Sequence, residues 1–179
     1  KRWQLKLNIT LFLSKEGSAI CRRHELGKIN QQIWASDFMS RWGYFVDILY
    51  RTINSIINVF SVKTVSGDII FSSSDFWPDS FPALILKMRN PEIIWIAGFY
   101  LFAPKPWEKY SPYRGKNFLT GLLYWIVQLP TYYFIHKFSD IVFVTSQPDV
   151  DQFITNSRPK ERVIVIRGGV DTLSAKYYL

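Results

Sequence analysis

The sequence is poor in the residues that form covalent cross-links and metal sites. It has one cysteine, Cys21, and two histidines, His24 and His136, in 179 residues. A single cysteine excludes an internal disulfide framework, and two histidines beside it argue against a structural zinc site. For Cys21 itself, a small buried residue is favoured over a reactive thiol.

Three motifs of common enzymes are also missing. The chain contains no G-x-G-x-x-G, no phosphate-binding G-x-x-x-x-G-K-[S/T] and no G-x-S-x-G nucleophile elbow. A dinucleotide-binding loop, a P-loop and an α/β-hydrolase nucleophile of the usual form are therefore excluded. No internal repeat, low-complexity segment or secretory signal stands out.

Acidic residues are outnumbered, since 14 Asp and Glu face 22 Lys and Arg and leave a net charge of +8. Hydrophobic residues make up 48% of the chain, which argues against disorder, and aromatic residues make up 17%. A basic and aromatic composition suits a membrane surface, a nucleic acid or a phosphorylated substrate. A solvated basic face explains it equally well.

The most informative stretch is residues 139–171, SDIVFVTSQPDVDQFITNSRPKERVIVIRGGVD. Its two β-branched runs, 141–144 and 163–166, lack polar alternation and predict strands covered on both faces. Between them, Ser146 can cap a helix that has Pro148 in its first turn. Strand, helix and strand with short connections predict parallel strands and a right-handed crossover.

This stretch resembles a segment of the family-four, GT-B-type glycosyltransferases. The family segment reads roughly AD-x-hydrophobic-VS, then a helix, then PxxKxxVIPNGVD. The matching positions are Pro159, Glu161, Arg162, Val163, Ile166, Gly169, Val170 and Asp171. Arg167 and Gly168 replace the usual Pro-Asn. The resemblance extends more loosely back to Lys1.

The resemblance implies an α/β, Rossmann-like, mostly parallel sheet with helices on both faces, spanning residues 1–179. It would be the N-terminal, acceptor-side domain of a retaining enzyme that moves a sugar from a nucleotide-sugar donor. The first strand, its glycine-rich loop and the C-terminal donor domain are expected to lie outside the chain, which alone should be inactive. No metal or other cofactor is implied.

The rest of the chain fits this reading. Apolar runs predict strands over 8–13, 67–71 and 92–97, and a periodicity of three and four predicts a helix over 43–62. A further short strand is expected over 30–35. Residues 16–17 are interpreted as a turn, 18–25 as a short helix and 78–88 as a further helix.

Ligands in such sheets bind beyond the carboxyl ends of the strands. The expected acceptor cleft is therefore formed by the residues that follow the strands: Ser73, Ser74, Asp75, Asp79, Gly98, Phe99 and Ser146. Two features of the family are absent here, a histidine near Ser73 and another near Gly98, so no catalytic residue is assigned. Asp75 as a simple helix cap is the open alternative.

The turn formed by Arg167, Gly168 and Gly169 is the candidate donor-phosphate site. Glycine lets backbone N–H groups face an anion, and arginine adds a fork of donors. A plain hinge turn is the alternative. Asp149 and Asp151 have the spacing of a metal-binding acid pair, but a pair that complements a helix dipole is favoured.

The loop over 103–116 is rich in proline, lysine and aromatic residues. Its candidate membrane contacts are Lys105, Trp107, Lys109, Tyr110, Tyr113 and Arg114. The uncharged run 118–135 is long enough to span a bilayer, but an interfacial or half-buried helix broken near Pro130 is favoured.

The expected partners are a nucleotide-sugar donor, held together with the C-terminal domain, a glycan or lipid-linked acceptor, and a membrane in peripheral contact, with no nucleic acid. The expected location is the cytoplasm, with association with the inner face of the cell membrane. The alternative function is a non-catalytic Rossmann-like module that binds an anionic membrane surface or a nucleic acid.

Overall fold

The computed structural model describes residues 7–24, 26, 28–36 and 43–166. The helices and strands alternate along the chain in this order: β1 (Thr10–Ser14), α1 (Lys15–Arg23), β2 (Asn30–Ala35), α2 (Tyr44–Val59), β3 (Ile69–Ser72), α3 (Trp77–Arg89), β4 (Ile94–Gly98), α4 (Phe118–Phe138), β5 (Ile141–Val144) and β6 (Val163–Val165). Three short 3-10 helices cover Gly115–Asn117, Gln147–Phe153 and Lys160–Arg162.

All pairs of described strands are parallel, which confirms the predicted α/β class. The strands form two sheets, however, and not the single one expected. One sheet pairs β1 with β2, and the other has the order β3-β4-β5-β6. The chain passes from the first sheet to the second through α2, which packs on both β2 and α3. Among the described strands, β1 pairs with β2 and not with β3.

One face of the four-stranded sheet carries the main core. Trp95 and Ala97 of β4 and Val142 and Val144 of β5 are fully buried there. The covering residues come from α3, α4 and the 3-10 helix Gln147–Phe153: Ala83, Leu84, Ile135, Val150 and Phe153. Each strand-to-strand crossover thus places its connecting segment on the same side, as right-handed connections along one direction require.

The other face of this sheet is apolar and largely uncovered by the described residues. Ile69 and Phe71 of β3 are 60% and 50% exposed, and Ile94 and Ile164 are 38% and 41% exposed. Successive residues of a strand point to opposite faces, so these four side chains belong to the face opposite the core.

Helix α4 runs unbroken through Pro130, so the predicted break at that proline is wrong. A proline inside a helix removes one N–H donor and pushes its ring against the preceding turn. Side chains donate hydrogen bonds to backbone carbonyls next to this proline. The indole Nε1 of Trp77 donates to Val127 O at 2.8 Å, and Thr131 Oγ1 donates to Gln128 O at 2.9 Å.

The buried side chain of Arg158 caps the C-terminal end of α4. Its side chain is 1% exposed, and its guanidinium donates to four backbone carbonyls and to the Ser139 hydroxyl. Two of those carbonyls, Ile135 O and His136 O, belong to the last turn of α4, where a cation complements the helix dipole. Burial lowers the pKa of Arg158 to about 10.

Two local predictions also need correction. Residues 16–17 lie inside α1 and do not form a turn, because Ser14 starts the helix by accepting a hydrogen bond from Gly17 N at 3.1 Å. The predicted helix after Ser146 is a 3-10 helix, and the Ser146 side chain makes no capping bond to its backbone.

Candidate functional site at the carboxyl ends of the strands

The loop after β3 gathers a small polar cluster around one carboxylate. Ser73 Oγ and Ser74 Oγ each donate to Asp79 Oδ2 at 2.7 Å. Asp79 lies in the first turn of α3, where the helix dipole favours a negative charge. The buried Ser80 hydroxyl fixes the backbone of this loop by donating to Ser74 O at 3.0 Å.

The end of β4 brings a tyrosine to the same cluster. A Cβ on Gly98 would lie 2.6 Å from the Tyr100 hydroxyl and 2.9 Å from Ser73 O, so only glycine lets the phenol cross the strand there. Burial, with a smaller contribution from the Asp79 charge, raises the pKa of Tyr100 above its usual 10. The phenol is therefore a neutral donor at pH 7.

Asp75 is held by an amide from α4. Gln128 Nε2 donates to Asp75 Oδ2 at 2.7 Å and to Leu101 O at 2.8 Å, and Gln128 Oε1 accepts from Ala103 N at 2.7 Å. Gln128 thereby fixes the loops after β3 and β4 against α4. Burial raises the pKa of Asp75 above its usual 3.8 despite the hydrogen bond from Gln128, and the Asp79 charge adds to the rise.

A cavity of about 450 Å³ opens beside Gln128, between the loop after β4, α4 and the 3-10 helix that follows β5. Its wall combines aromatic rings with polar side chains, among them Phe102, Lys105, Trp125, Gln128, Tyr132 and Asp149. An aromatic wall with a few convergent polar groups is the usual composition of a small-molecule site.

The strand ends meet largely as the sequence predicts. Ser73, Ser74, Asp75, Gly98 and Ser146 follow three parallel neighbouring strands, so they share one edge of one sheet. The Ser146 hydroxyl donates to Asp149 Oδ2 at 2.6 Å, at the edge of the cavity.

Phe99 does not line the cleft, contrary to the prediction from its position after β4. Its side chain is 1% exposed, and its ring centroid lies 4.7 Å from that of Phe102 and 5.0 Å from that of Phe153. Phe99 therefore supports the core beneath the site and does not line it. The donor-phosphate candidates Arg167, Gly168 and Gly169 lie outside the described residues.

The candidate membrane contacts sit at the mouth of the cavity and on the adjoining loop. Lys105, Lys109 and Arg114 are exposed, Trp107 is 53% exposed and Tyr110 is 88% exposed. Tyr113 differs from them, because it is half-buried. Its side chain lies directly against Gly121, where any larger residue would collide with it.

Sequence reasoning missed two residues of the site, Gln128 and Tyr100. Gln128 is the sole amide side chain in the uncharged run 118–135, and an isolated amide in such a run signals a buried hydrogen-bonding role. Tyr100 carried no such signal, because its position beside Asp79 depends on the contact between the loops after β3 and β4.

The chain was also compared with known proteins. No family model matches it, and no curated protein matches it.

Proposed function

We propose that this chain forms the acceptor side of a glycosyltransferase cleft, as the resemblance of residues 139–171 suggests. The observation that carries the proposal is the convergence of polar groups at the carboxyl ends of β3, β4 and β5 beside a cavity of about 450 Å³. Open parallel sheets bind their ligands at this edge. The proposed reaction transfers a sugar from a nucleotide-sugar to a glycan or lipid-linked acceptor, with retention.

The cluster around Asp79 suits the recognition of sugar hydroxyls. A carboxylate accepts hydrogen bonds from hydroxyl groups, serine hydroxyls both donate and accept, and the neutral phenol of Tyr100 donates. The role proposed for Asp79 and its two serines is to hold the acceptor, with the reacting hydroxyl directed toward the donor. Such positioning accounts for a large share of the barrier in a group-transfer reaction.

The donor diphosphate is assigned to groups outside the described residues. Negative charge builds on the leaving diphosphate during transfer and must meet fixed cations or dipoles. We assign this role to the turn Arg167–Gly168–Gly169 and to a second domain, with no metal. The chain alone should then bind an acceptor but transfer no sugar, and its proposed place is the cytoplasmic face of the membrane.

The test is radiolabelled sugar transfer by residues 1–179 and by the full-length product of the gene. In the full-length protein, Asp79→Asn should lower transfer about 10- to 100-fold, because a misplaced acceptor hydroxyl reacts slowly. Asp68→Asn is the matched control, since Asp68 precedes β3 at the opposite end of the strand and accepts a hydrogen bond from Val65 N. Equal activity of the Asp79 and Asp68 variants would refute the role of the cluster.

The second candidate is a non-catalytic module that binds an anionic surface. The exposed basic loop over residues 105–116 favours it. The transfer assay distinguishes the glycosyltransferase from the non-catalytic module. The module should transfer no sugar, whatever the length of the chain, but should still bind an anionic surface.

A further inference from the structure

Helix α4 is apolar on the side that faces away from the protein as well as on the side that packs on the core through Ile135, Phe134 and Phe138. Its buried residues are Gly121, Gln128, Thr131 and Ile135, so three of the four are small or polar. At 100° per residue these four lie within about 80° of one another. A surface helix of a soluble protein normally has an apolar stripe only toward the core and a polar face outward.

The outward side of α4 is a continuous apolar stripe. It consists of Leu119, Leu123, Ile126, Leu129 and Tyr133, which are between 41% and 71% exposed. Their spacing of four, three, three and four residues keeps them on one side of the helix over about 21 Å. By length and composition the helical run Gly115–Phe138 could also cross a membrane.

The loop that leads into α4 carries positive charge and aromatic rings. Residues 101–138 contain five Lys and Arg against one Glu, a net +4 out of the chain's +8. The one acid, Glu108, lies 3.4 Å from Lys105. Beside the cations stand the exposed rings of Trp107 and Tyr110, and aromatic residues of this kind favour the headgroup level of a bilayer.

We propose that the exposed stripe of α4, together with the loop over residues 104–116, is a docking surface for an anionic lipid bilayer. The helix lies along the membrane surface and does not span it, because its inner side is committed to the protein through the hydrogen bonds of Gln128 and the core packing of Ile135. Charge complementarity selects the occupant. An anionic bilayer matches the net +3 of the loop over residues 104–116, whereas a second copy of the same surface would repel it.

This inference does not depend on sugar transfer. The uncovered face of the four-stranded sheet and the exposed side of α2 are also apolar. The run that holds α2, residues 44–63, carries Arg51 and Lys63 against Asp47, a net +1, so the exposed side of α2 is a control for a purely hydrophobic attraction to lipid.

The first experiment measures co-sedimentation of the 179-residue chain with phosphatidylcholine vesicles that contain about 30% phosphatidylserine. Binding should require the anionic lipid and weaken as salt is raised, because interfacial charge attraction is screened. Equal binding to pure phosphatidylcholine vesicles at high salt would overturn the proposal.

The apolar stripe is tested by Leu123→Ala with Ile126→Ala. Both side chains are about half exposed, so the fold should persist, and vesicle binding should fall at least about tenfold as buried methylene groups are lost. The matched control is Ile53→Ala with Ile57→Ala on the exposed side of α2. An equal fall in both pairs would refute a docking surface on α4.

The positive charge of the loop over residues 104–116 is tested by Lys109→Gln with Arg114→Gln. Losing two cations near an anionic surface should weaken partitioning about 25-fold. The matched control, Lys160→Gln with Arg162→Gln, removes two exposed cations at the 3-10 helix Lys160–Arg162 and should change binding far less. If the two pairs weaken binding equally, the attraction belongs to the whole chain and not to this surface.

A spectroscopic measurement identifies the occupant. In a Cys21→Ser background, an environment-sensitive dye at Leu123→Cys should shift to the blue when anionic vesicles are added, and the same dye at Ile57→Cys should not. A blue shift at Leu123→Cys that grows with protein concentration in the absence of lipid would show self-association and overturn the proposal.

Discussion

Replacing Gln128 by glutamate should lower the free energy of unfolding, because it puts a second carboxylate where an amide now donates to Asp75. The geometry around Gln128 allows the size of this loss to be worked out. Gln128 Nε2 now donates to Asp75 Oδ2 at 2.7 Å and to Leu101 O at 2.8 Å. Gln128→Glu keeps the shape but sets a second carboxyl against Asp75. Two like charges about 4 Å apart repel by about 4 kcal/mol at an effective dielectric constant of about 20. We expect the pair to avoid part of this cost by keeping one proton.

The sign of the pH dependence follows from that retained proton. In the unfolded chain both carboxyls lose their protons near pH 4. In the folded variant the pair holds one proton to a higher pH, since burial already raises the pKa of Asp75. The folded state therefore binds more protons, and the free energy of unfolding falls as pH rises above about 4. Relative to wild type, Gln128→Glu should lose about 1 kcal/mol at pH 4.5 and about 3 to 4 kcal/mol at pH 8.

Urea unfolding followed by far-UV circular dichroism at the two pH values checks this prediction. Gln152→Glu is the matched control, because Gln152 lines the same cavity but is exposed, and its substitution should cost less than about 0.5 kcal/mol at either pH. A loss for Gln128→Glu that is the same at pH 4.5 and pH 8 would mean that the amide does not face a buried carboxylate, and the proposed link between the loops would be wrong.

Three further changes test the scaffold. Arg158→Met removes a buried cation that donates to four carbonyls and one hydroxyl, and it should lower the free energy of unfolding by about 3 to 5 kcal/mol in urea titrations. Gly98→Ala places a Cβ 2.6 Å from the Tyr100 hydroxyl; it should cost about 1 to 3 kcal/mol in the same titrations and displace the phenol, which a changed tyrosine absorbance spectrum would reveal. Trp77→Phe removes the donor to Val127 O and should cost about 1 kcal/mol, with faster amide exchange around the proline of α4; unchanged exchange there would show that the helix does not need the indole.

Most helices and strands could be predicted because their signals are local. The β-branched run 141–144 matches β5, and the apolar run predicted over 92–97 overlaps β4, because a short apolar run between polar breaks has few alternatives. The convergence of the strand ends followed from the same reasoning, since parallel neighbours carry their loops to one edge.

The features that could not be predicted depend on contacts between distant residues. Beside Pro130, α4 accepts a hydrogen bond from an indole 50 positions earlier, and the buried Arg158 reaches carbonyls 19 to 23 residues away. A charged side chain in a polar stretch gives no local sign that it will be buried. The division into two sheets was missed for a similar reason, because hydrophobic runs predict strands but not which edges pair.

The order of the four-stranded sheet has a consequence for synthesis of the chain. Each described strand pairs only with strands that are its neighbours along the sequence, and β3-β4-β5-β6 is both the spatial and the temporal order. A polypeptide leaves the ribosome from its N-terminus, so each new strand meets an edge that has just formed. No described strand of this sheet must wait for a later one to be inserted beside it. Stalled nascent chains of increasing length should therefore gain protected amides strand by strand, beginning with β3 and β4 and ending with β6.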